Sequence, residues 1–314
     1  MNGLARFVLR RVISAVPVLI GVTLVSSLLI HLVPGDPART LLGLKASAAQ
    51  VAHLDQQLGV NKPLPVQYFH FLESAATGSF GTSILSGRSV GSLIVQRLPV
   101  TVWLLGYALV ISIVLSVPLA MLAATRPGGI RDHSVRGVSI LALGVPPFVA
   151  GILLIQLLAV DHRVFPPAGF GTGVGGHIES MFLPSLSLAL SGVPLIVRSL
   201  RAEMLRVKEA DHVTIARAKG LPERAVRIRH ILRNALPPGI AVLTVGLAGA
   251  IGATVVVEDV FAVPGLGDLL VNSISGRDFP VVQGVVVMMA VMVLVITAVG
   301  DLLQAMLDPR VKLA

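Results

Sequence analysis

The sequence predicts an all-α polytopic membrane protein with six transmembrane helices and with both termini in the cytoplasm. Of the 314 residues, 54% are hydrophobic and only 13% are charged, and the mean hydropathy is +0.86. These values exclude an ordinary soluble domain. The apolar residues form six runs without Asp, Glu, Lys or Arg, each long enough for a helix that crosses a bilayer, the fourth only narrowly. The runs are residues 12–35, 98–125, 137–160, 180–197, 234–257 and 279–300.

The first run follows Arg6, Arg10 and Arg11, so the N-terminus superficially resembles a secretory signal peptide. The run is longer than a typical signal core, however, and no small-residue cleavage site follows it. We therefore predict that residues 1–35 form an N-terminal tail and the first transmembrane helix.

The next segment, residues 36–97, is predicted to be an extracytoplasmic loop or cap. Ser47 is placed to cap a helix that ends at Gly59, and residues 65–76 show the apolar period of a second amphipathic helix. So short a segment cannot bury a core of its own. The remaining residues, 98–314, are predicted to be the core transmembrane domain.

Basic residues predict which connections lie in the cytoplasm. The connection 126–136 carries three arginines against one aspartate, and residues 198–233, which we call the basic segment, hold ten of the 25 Lys and Arg residues. Basic connections are retained in the cytoplasm, so both are predicted to lie there. The connections 161–179 and 258–278 have few basic residues and are predicted to face outward. This assignment alternates across all the runs and places both termini in the cytoplasm.

The basic segment also contains a helix break. Gly220 suits a helix C-terminus because glycine tolerates a positive φ, and Pro222 suits the first position of a helix because its missing N–H would have no partner there. Two short helices are predicted, one that ends near Lys219 and one that begins at Pro222. A loop that only rests on anionic lipid needs neither this break nor interleaved acidic residues. We therefore favour a docking surface for a cytoplasmic protein over a lipid-bound tether.

The sequence lacks the patterns of an enzyme or of a cofactor-binding protein. No G-x-x-x-x-G-K-[ST] pattern occurs, and Gly171-x-Gly173-x-x-Gly176 is predicted to lie in a glycine-rich loop with neither a strand before it nor a helix after it. The chain has no Cys and its eight His residues are scattered, so no catalytic, cofactor-binding or metal-binding residue is predicted. Despite the net charge of +9, the few aromatic residues and the lack of a recognisable module argue against nucleic acid as a partner.

The apolar runs carry further information about transport and packing. Ion-coupled carriers usually place a charged residue at mid-membrane, so the energy for any transport is expected to come from another protein. Prolines such as Pro146 and Pro147 predict kinks that either line a pathway or belong to ordinary helix packing. Gly246, Gly249 and Gly252 form a small-residue face on the fifth run, which predicts contact with either a partner subunit or another helix of this chain.

Two motifs of the basic segment are similar to those of a known family. Residues 211–221, DHVTIARAKGL, resemble D-Y-V-x-x-A-R-A-K-G-L, and residues 230–236, HILRNAL, resemble H-x-L-R-N-A-L. Both patterns belong to the membrane-spanning permease subunits of binding-protein-dependent ABC importers, in the oligopeptide, dipeptide and nickel branch. Further matches cover nearly the full length and lie at residues 10–11, 34–37, 58–68, 257–261, 264–267, 277–280 and 307–310.

The resemblance implies a permease subunit of the inner membrane that has no enzymatic activity and forms the pathway through which short peptides are imported. It implies as partners a second homologous permease subunit, two cytoplasmic ATPase subunits that hold ATP and Mg²⁺, and an extracytoplasmic solute-binding protein. Membrane lipid surrounds the spans, and this chain itself is expected to bind no cofactor. Nickel chelates or another small solute are the alternative cargo. A stand-alone channel, an ion-coupled carrier and a membrane scaffold are the alternative functions.

The resemblance also implies roles for particular residues. The basic segment corresponds to the family's EAA loop, which forms a coupling helix docked in a groove of the ATPase subunit. Arg217 and Lys219 are expected to make polar contacts with that groove, and Ala216 is expected to allow close approach. The residues predicted for ATPase coupling are Glu209, Asp211, His212, Ala216, Arg217, Lys219, Gly220 and Leu221.

The outer connection, residues 258–278, is predicted to form re-entrant structure near an outer gate, with a solvated acidic loop as the alternative. The candidate gate residues are Glu258, Asp259, Gly265, Gly267, Arg277 and Asp278.

The sequence departs from the family's patterns at a few positions. Ser79 stands where Asp is usual, His212 stands where Tyr is common, and residues 213–216 read VTIA in place of V-R-T-A. The first departure is expected to alter the outer cap. The other two are expected to tune pairing with a particular ATPase.

Overall fold

The computed structural model describes residues 3–32 and 63–307, which fold into helices joined by turns. An isolated bridge between Thr82 and Ser89 is the one β-type pairing in these ranges. The predicted helix from Ser47 to Gly59 lies outside the described residues, whereas the one at residues 65–76 is confirmed as α2. The helices are α1 (Gly3–Leu32), α2 (Leu64–Ala76), α3 (Val90–Thr125), α4 (Ile130–Leu143), α5 (Pro147–Asp161), α6 (Gly173–Lys208), α7 (Asp211–Ala218), α8 (Glu223–Val260), α9 (Leu266–Ser275) and α10 (Phe279–Leu307).

Five of these helices, α1, α3, α6, α8 and α10, are long and apolar enough to cross a membrane. The pair α4 and α5 makes a sixth candidate span when the two are counted together as one bent span. The prediction of an all-α protein with six membrane-crossing segments is thereby confirmed. The placement of the termini in the cytoplasm stays a prediction.

The third apolar run does not form one straight helix, because α4 and α5 meet at an angle of 101°. Gly144 ends α4, Pro146 adopts an extended conformation with φ −60° and ψ 147°, and Pro147 begins α5. Proline disfavours the helical conformation in the residue before it, which here is Val145, and it has no N–H for the preceding turn. The two adjacent prolines therefore break the run, whereas Pro184 and Pro194 lie inside the continuous helix α6.

Contacts between Cα atoms divide the chain into two compact units, residues 1–101 with 264–292 and residues 102–263 with 293–314. In the first unit, the Tyr68 hydroxyl lies 3.0 Å from the Thr23 hydroxyl and ties α2 to α1. A Cβ atom on Gly284 would lie 2.7 Å from a methyl carbon of Val90, so the start of α10 packs closely against the start of α3. The predicted division at residues 35 and 97 stays a prediction.

The second unit has its core where α6, α7 and α8 meet the ends of α3 and α4. A Cβ atom on Gly239 of α8 would lie 2.3 Å from a methyl carbon of Leu200, so glycine is required where α8 crosses α6. By contrast, a Cβ on Gly246, Gly249 or Gly252 would meet no atom within 4 Å. This small-residue face is therefore not packed closely against another described helix of the chain.

Candidate functional site

The basic segment folds as the end of α6, the short helix α7 and the start of α8. Helix α6 continues from the fourth apolar run to Lys208, and α8 runs without interruption into the fifth run. The prediction of two short helices is therefore wrong for the second helix. Nothing in the sequence after Glu223 breaks the helix before the span begins, although the ladder widens to a π-helical turn at Val226–Leu232.

One apolar face of α7 packs against the rest of the second unit. Val213 and Ala216 are three residues apart and therefore lie on the same side of the helix. Both are buried, with only 5% of Ala216 exposed. They join a core that includes Val207 of α6 and Val226 of α8. Burial of this face fixes the position of α7 relative to the two long helices on either side of it.

The C-terminus of α7 closes with a Schellman motif around Gly220. The Leu221 N–H donates to the Ala216 carbonyl at 3.3 Å, and the Gly220 N–H donates to the Arg217 carbonyl at 2.9 Å. Gly220 has φ +75°, a conformation that other residues adopt only with strain. The predicted role of Gly220 as a helix terminator is therefore confirmed. Pro222 is the extended residue before α8 and not its first helical residue.

Polar contacts join α7 to α8 on both sides of the buried face. The Arg217 Nε donates to Glu223 Oε1 at 2.8 Å, across the turn that connects the two helices. On the other side, the His212 Nε2 lies 3.5 Å from the side-chain nitrogen of Asn234, which donates to the His230 carbonyl at 2.7 Å. These contacts hold α7 and the start of α8 together as one element.

The opposite face of α7 points away from the core. Ile215 is 54% exposed, Thr214 is also exposed, and Leu221, beyond the turn, is exposed as well. Sequence reasoning did not select Ile215, although its position opposite Val213 and Ala216 in the helical period is the signal that identifies it.

The predicted coupling residues divide into exposed and buried positions. Ala216 faces inward, so the close approach that it permits is to the core of this chain and not to the surface of a partner. Arg217 is half-buried and paired with Glu223. The exposed members of the predicted set are Glu209, Asp211, His212, Lys219, Gly220 and Leu221.

A buried ion pair joins the connection 126–136 to the basic segment. Arg201 donates from Nε to one carboxylate oxygen of Asp132 and from a terminal nitrogen to the other, each at 2.6 Å. The Gly128 N–H donates to the same carboxylate at 2.9 Å, and Asp132 is fully buried. The start of α4 and the end of α6 therefore lie on the same side of the second unit. Sequence reasoning treated Asp132 only as one charge among arginines and missed this pairing.

The candidate gate residues are divided between the two compact units. Glu258 and Asp259 end α8 in the second unit, and Gly265, Gly267, Arg277 and Asp278 belong to the first unit. Glu258 and Asp278 are buried, and residues 266–275 are helical, so the connection is not a solvated acidic loop. A re-entrant path through the membrane stays a prediction.

Asp278 anchors the turn that precedes α3 within the first unit. Its carboxylate accepts hydrogen bonds from the Ser83 hydroxyl at 2.5 Å and from the Ile84 N–H at 3.0 Å. The Leu266 N–H at the start of α9 donates to the Thr101 hydroxyl at 2.9 Å in the same unit. Sequence reasoning missed Ser83 because it lies 195 residues from its partner.

The described ranges contain no cluster of three or more His, Cys, Asp or Glu side chains that is placed to hold a metal ion.

Comparison with known proteins shows similarity over almost the whole chain. A family model described as "Binding-protein-dependent transport system inner membrane component" matches residues 116–313, and its N-terminal companion matches residues 4–105. The chain is 36% identical to the Oligopeptide transport system permease protein AppB of Bacillus subtilis (strain 168), over 98% of this chain and 100% of that protein. It is 33% identical to the Glutathione transport system permease protein GsiC of Salmonella choleraesuis (strain SC-B67), over 98% of each chain.

A solved structure shares the fold. The inward-facing MetNI methionine ABC transporter aligns with a TM-score of 0.58 at 19% identity, over 69% of this chain and 96% of that chain. At this identity, the likeness supports the helical architecture and carries no further conclusion about cargo.

Proposed function

This chain belongs to the family of inner membrane components of binding-protein-dependent transport systems, and we propose that it is one permease subunit of an ATP-driven importer of short peptides. It is a multi-pass membrane protein of a transport family. In the proposal it lies in the inner membrane with the basic segment in the cytoplasm. A second permease subunit completes the pathway, two ATPase subunits supply the energy, and a solute-binding protein delivers the peptide.

The relatives support short peptides as the cargo. One is named an oligopeptide permease and another a glutathione permease, and each aligns over 98% of this chain. Glutathione is a tripeptide, so the two names agree on cargo of a few residues. Neither name concerns a nickel chelate.

Helix α7 carries the proposal for the mechanism. Its exposed face, with Ile215 and the neighbouring Lys219 and Leu221, is the surface on which an ATPase subunit would dock. Its buried face shares a core with both α6 and α8. A push on α7 therefore displaces two membrane-crossing helices together, because close-packed interiors transmit strain. In this way the ATPase subunits open and close the pathway. This chain itself hydrolyses no ATP and holds no nucleotide.

The outer connection is the proposed site of the outer gate. Residues 258–278 join two candidate spans, α8 and α10, and the buried carboxylate of Asp278 holds the backbone of the turn before α3. Such a connection moves when the spans on its two sides move. Gating by this segment therefore depends on movement of α8 and α10.

The natural absence of cysteine allows a direct test of the docking surface. In the purified importer, assembled with its ATPase subunits, we expect Ile215→Cys to crosslink to the ATPase through a short thiol-reactive linker. Ser134→Cys is the matched control because Ser134 is exposed on the other basic connection. Equal crosslinking of both variants, or of neither, would contradict docking on α7.

Transport is tested with radiolabelled trialanine in proteoliposomes. The assembled importer with its binding protein should take up trialanine only when ATP is present, and this chain alone should take up none. Uptake by the chain alone would favour a stand-alone channel. ATP-driven uptake of a nickel chelate without uptake of trialanine would contradict the peptide assignment and leave the coupling mechanism intact.

A further inference from the structure

A cleft of about 460 Å³ lies between α4 and α6 in the second unit. Its lining is basic at one end and mostly apolar elsewhere. Arg136, Arg198 and Arg201 lie at one end, and the rest of the wall is mostly apolar, with Ile140, Leu143 and Val197 among the lining residues. The cleft is separate from the exposed face of α7.

The two helices place their arginines at the same end of the cleft. Arg136 lies midway along α4, and Ile140 and Leu143 follow four and seven residues later on the same face. At a rise of about 1.5 Å per residue, these apolar side chains lie roughly 6 and 10 Å deeper along the helix. In α6, which ends at Lys208, Arg198 follows the apolar residues of the wall. The ion pair of Asp132 with Arg201 brings these two helix ends together.

Of the three arginines in the cleft, only Arg201 is paired with a carboxylate in the part of the chain that the structure describes. Asp132 is buried and offsets the charge of Arg201 through two hydrogen bonds. Arg136 and Arg198 are both exposed, and among the described residues neither forms a hydrogen bond or a salt bridge. The charge of Arg136 also acts on Asp132, but both carboxylate oxygens of Asp132 already accept hydrogen bonds from Arg201. The cleft therefore offers a surplus of positive charge at its polar end.

The exposed surface of α4 identifies the medium that the cleft faces. Ile140 is 68% exposed, and its neighbours Val138 and Leu141 are also largely exposed. A helix with large apolar side chains turned outward beyond its charged end is typical of a surface in contact with lipid chains. Basic pockets between membrane helices on the cytoplasmic side bind anionic lipid headgroups.

We propose that this cleft is a binding site for one anionic phospholipid of the leaflet on the side of the basic segment. The phosphate of the lipid lies between Arg136 and Arg198, where charge-assisted hydrogen bonds to guanidinium groups hold it. An acyl chain lies along Ile140, Leu143 and Val197. The bound lipid braces α4 against α6 beside the Asp132–Arg201 pair, next to the core that carries α7.

The test is a lipid titration of the purified full-length chain in neutral detergent, with bound lipid counted by native mass spectrometry. Dioleoylphosphatidylglycerol should bind the wild-type chain more tightly than dioleoylphosphatidylcholine. Arg136→Gln with Arg198→Gln should weaken phosphatidylglycerol binding roughly fivefold per arginine, on the order of 30-fold together, from the gain per basic residue at a membrane surface. Binding of phosphatidylcholine should not change.

Matched variants separate the site from a general effect of charge. Arg131→Gln with Arg224→Gln removes the same charge from exposed positions outside the cleft and should leave phosphatidylglycerol binding within about twofold of wild type. Ile140→Trp fills the apolar end from an exposed position and should weaken binding of both lipids. Arg136→Lys with Arg198→Lys keeps both charges and should retain most of the affinity for phosphatidylglycerol. This variant tests the site if the glutamine pair fails to fold.

Three results would overturn the proposal. Equal affinity for the two lipids in the wild-type chain would show that the arginines do not select an anionic headgroup. Equal weakening by the glutamine pair and by the control pair would show that net charge alone matters. Displacement of bound phosphatidylglycerol by trialanine would assign the cleft to the transport pathway.

Discussion

Replacing Asp132 by alanine leaves the guanidinium of Arg201 without its bidentate partner inside the second unit. Removal of one member of a buried ion pair costs about 3–5 kcal/mol, because the remaining charge stays buried without compensation. Arg201 has 20% of its side chain exposed and reaches some water, which favours the lower end of that range. The third partner, Gly128, is exposed, so its N–H regains a hydrogen bond from water. We therefore expect the free energy of unfolding to fall by about 3 kcal/mol.

The measurement is reversible unfolding of the purified chain in mixed detergent micelles, followed by circular dichroism. Arg201→Met removes the other member of the pair and leaves the buried carboxylate of Asp132 without its guanidinium partner. We therefore expect the free energy of unfolding to fall by at least as much. The double variant should lose no more than either single variant, which corresponds to a coupling energy of at least about 3 kcal/mol. Arg206→Gln is the control, because the Arg206 side chain is 77% exposed and its pairing with Glu203 is screened by solvent, so its loss should lower stability far less than loss of the buried pair.

Additive losses in the double variant would refute the reasoning. Additivity would mean that each residue stabilises the fold through separate contacts, and that the carboxylate and the guanidinium do not depend on each other. In that case the pair would not explain why the two basic connections lie together.

Two further substitutions test the backbone of the second unit in the same unfolding assay. Gly220→Ala should cost about 1 kcal/mol because φ +75° strains any residue with a Cβ, while the Cβ itself meets open space; no loss would show that the turn does not require glycine. Gly239→Ala should cost about 1–3 kcal/mol because its Cβ would overlap the side chain of Leu200, which would have to shift within a buried, packed environment. Gly249→Ala is its matched control on the same helix and should cost nothing, since no atom lies within 4 Å of the new Cβ; equal losses at Gly239 and Gly249 would contradict close packing of α8 on α6.

Local sequence was sufficient to predict the membrane-crossing segments and the end of α7. Long apolar runs identify membrane spans because the bilayer imposes their length, and Gly220 identifies a helix end because few other residues accept its backbone conformation. The bend between α4 and α5 is also encoded locally, by Pro146 and Pro147, yet a proline pair alone does not determine whether a span kinks or breaks. The observed angle of 101° depends on the packing of both halves.

Partners that are distant in sequence could not be predicted. Asp132 and Arg201 are 69 residues apart, and Ser83 and Asp278 are 195 residues apart. Helical periodicity orders the residues of one element and contains no information about which element packs against another. Such pairings are fixed by the tertiary fold, and they account for most of the interactions that sequence reasoning missed.

The faces of α7 explain where this chain differs from the motif that it resembles. Ala216, which the motif shares, is buried in the core and is constrained by internal packing. Thr214 and Ile215 stand where the motif has Arg and Thr, and both lie on the exposed face. A change there leaves the fold of this chain intact and alters only what a partner meets. Under the proposed function, the groove of the ATPase subunit opposite α7 must therefore accept an apolar isoleucine and does not need an acidic group to match an arginine.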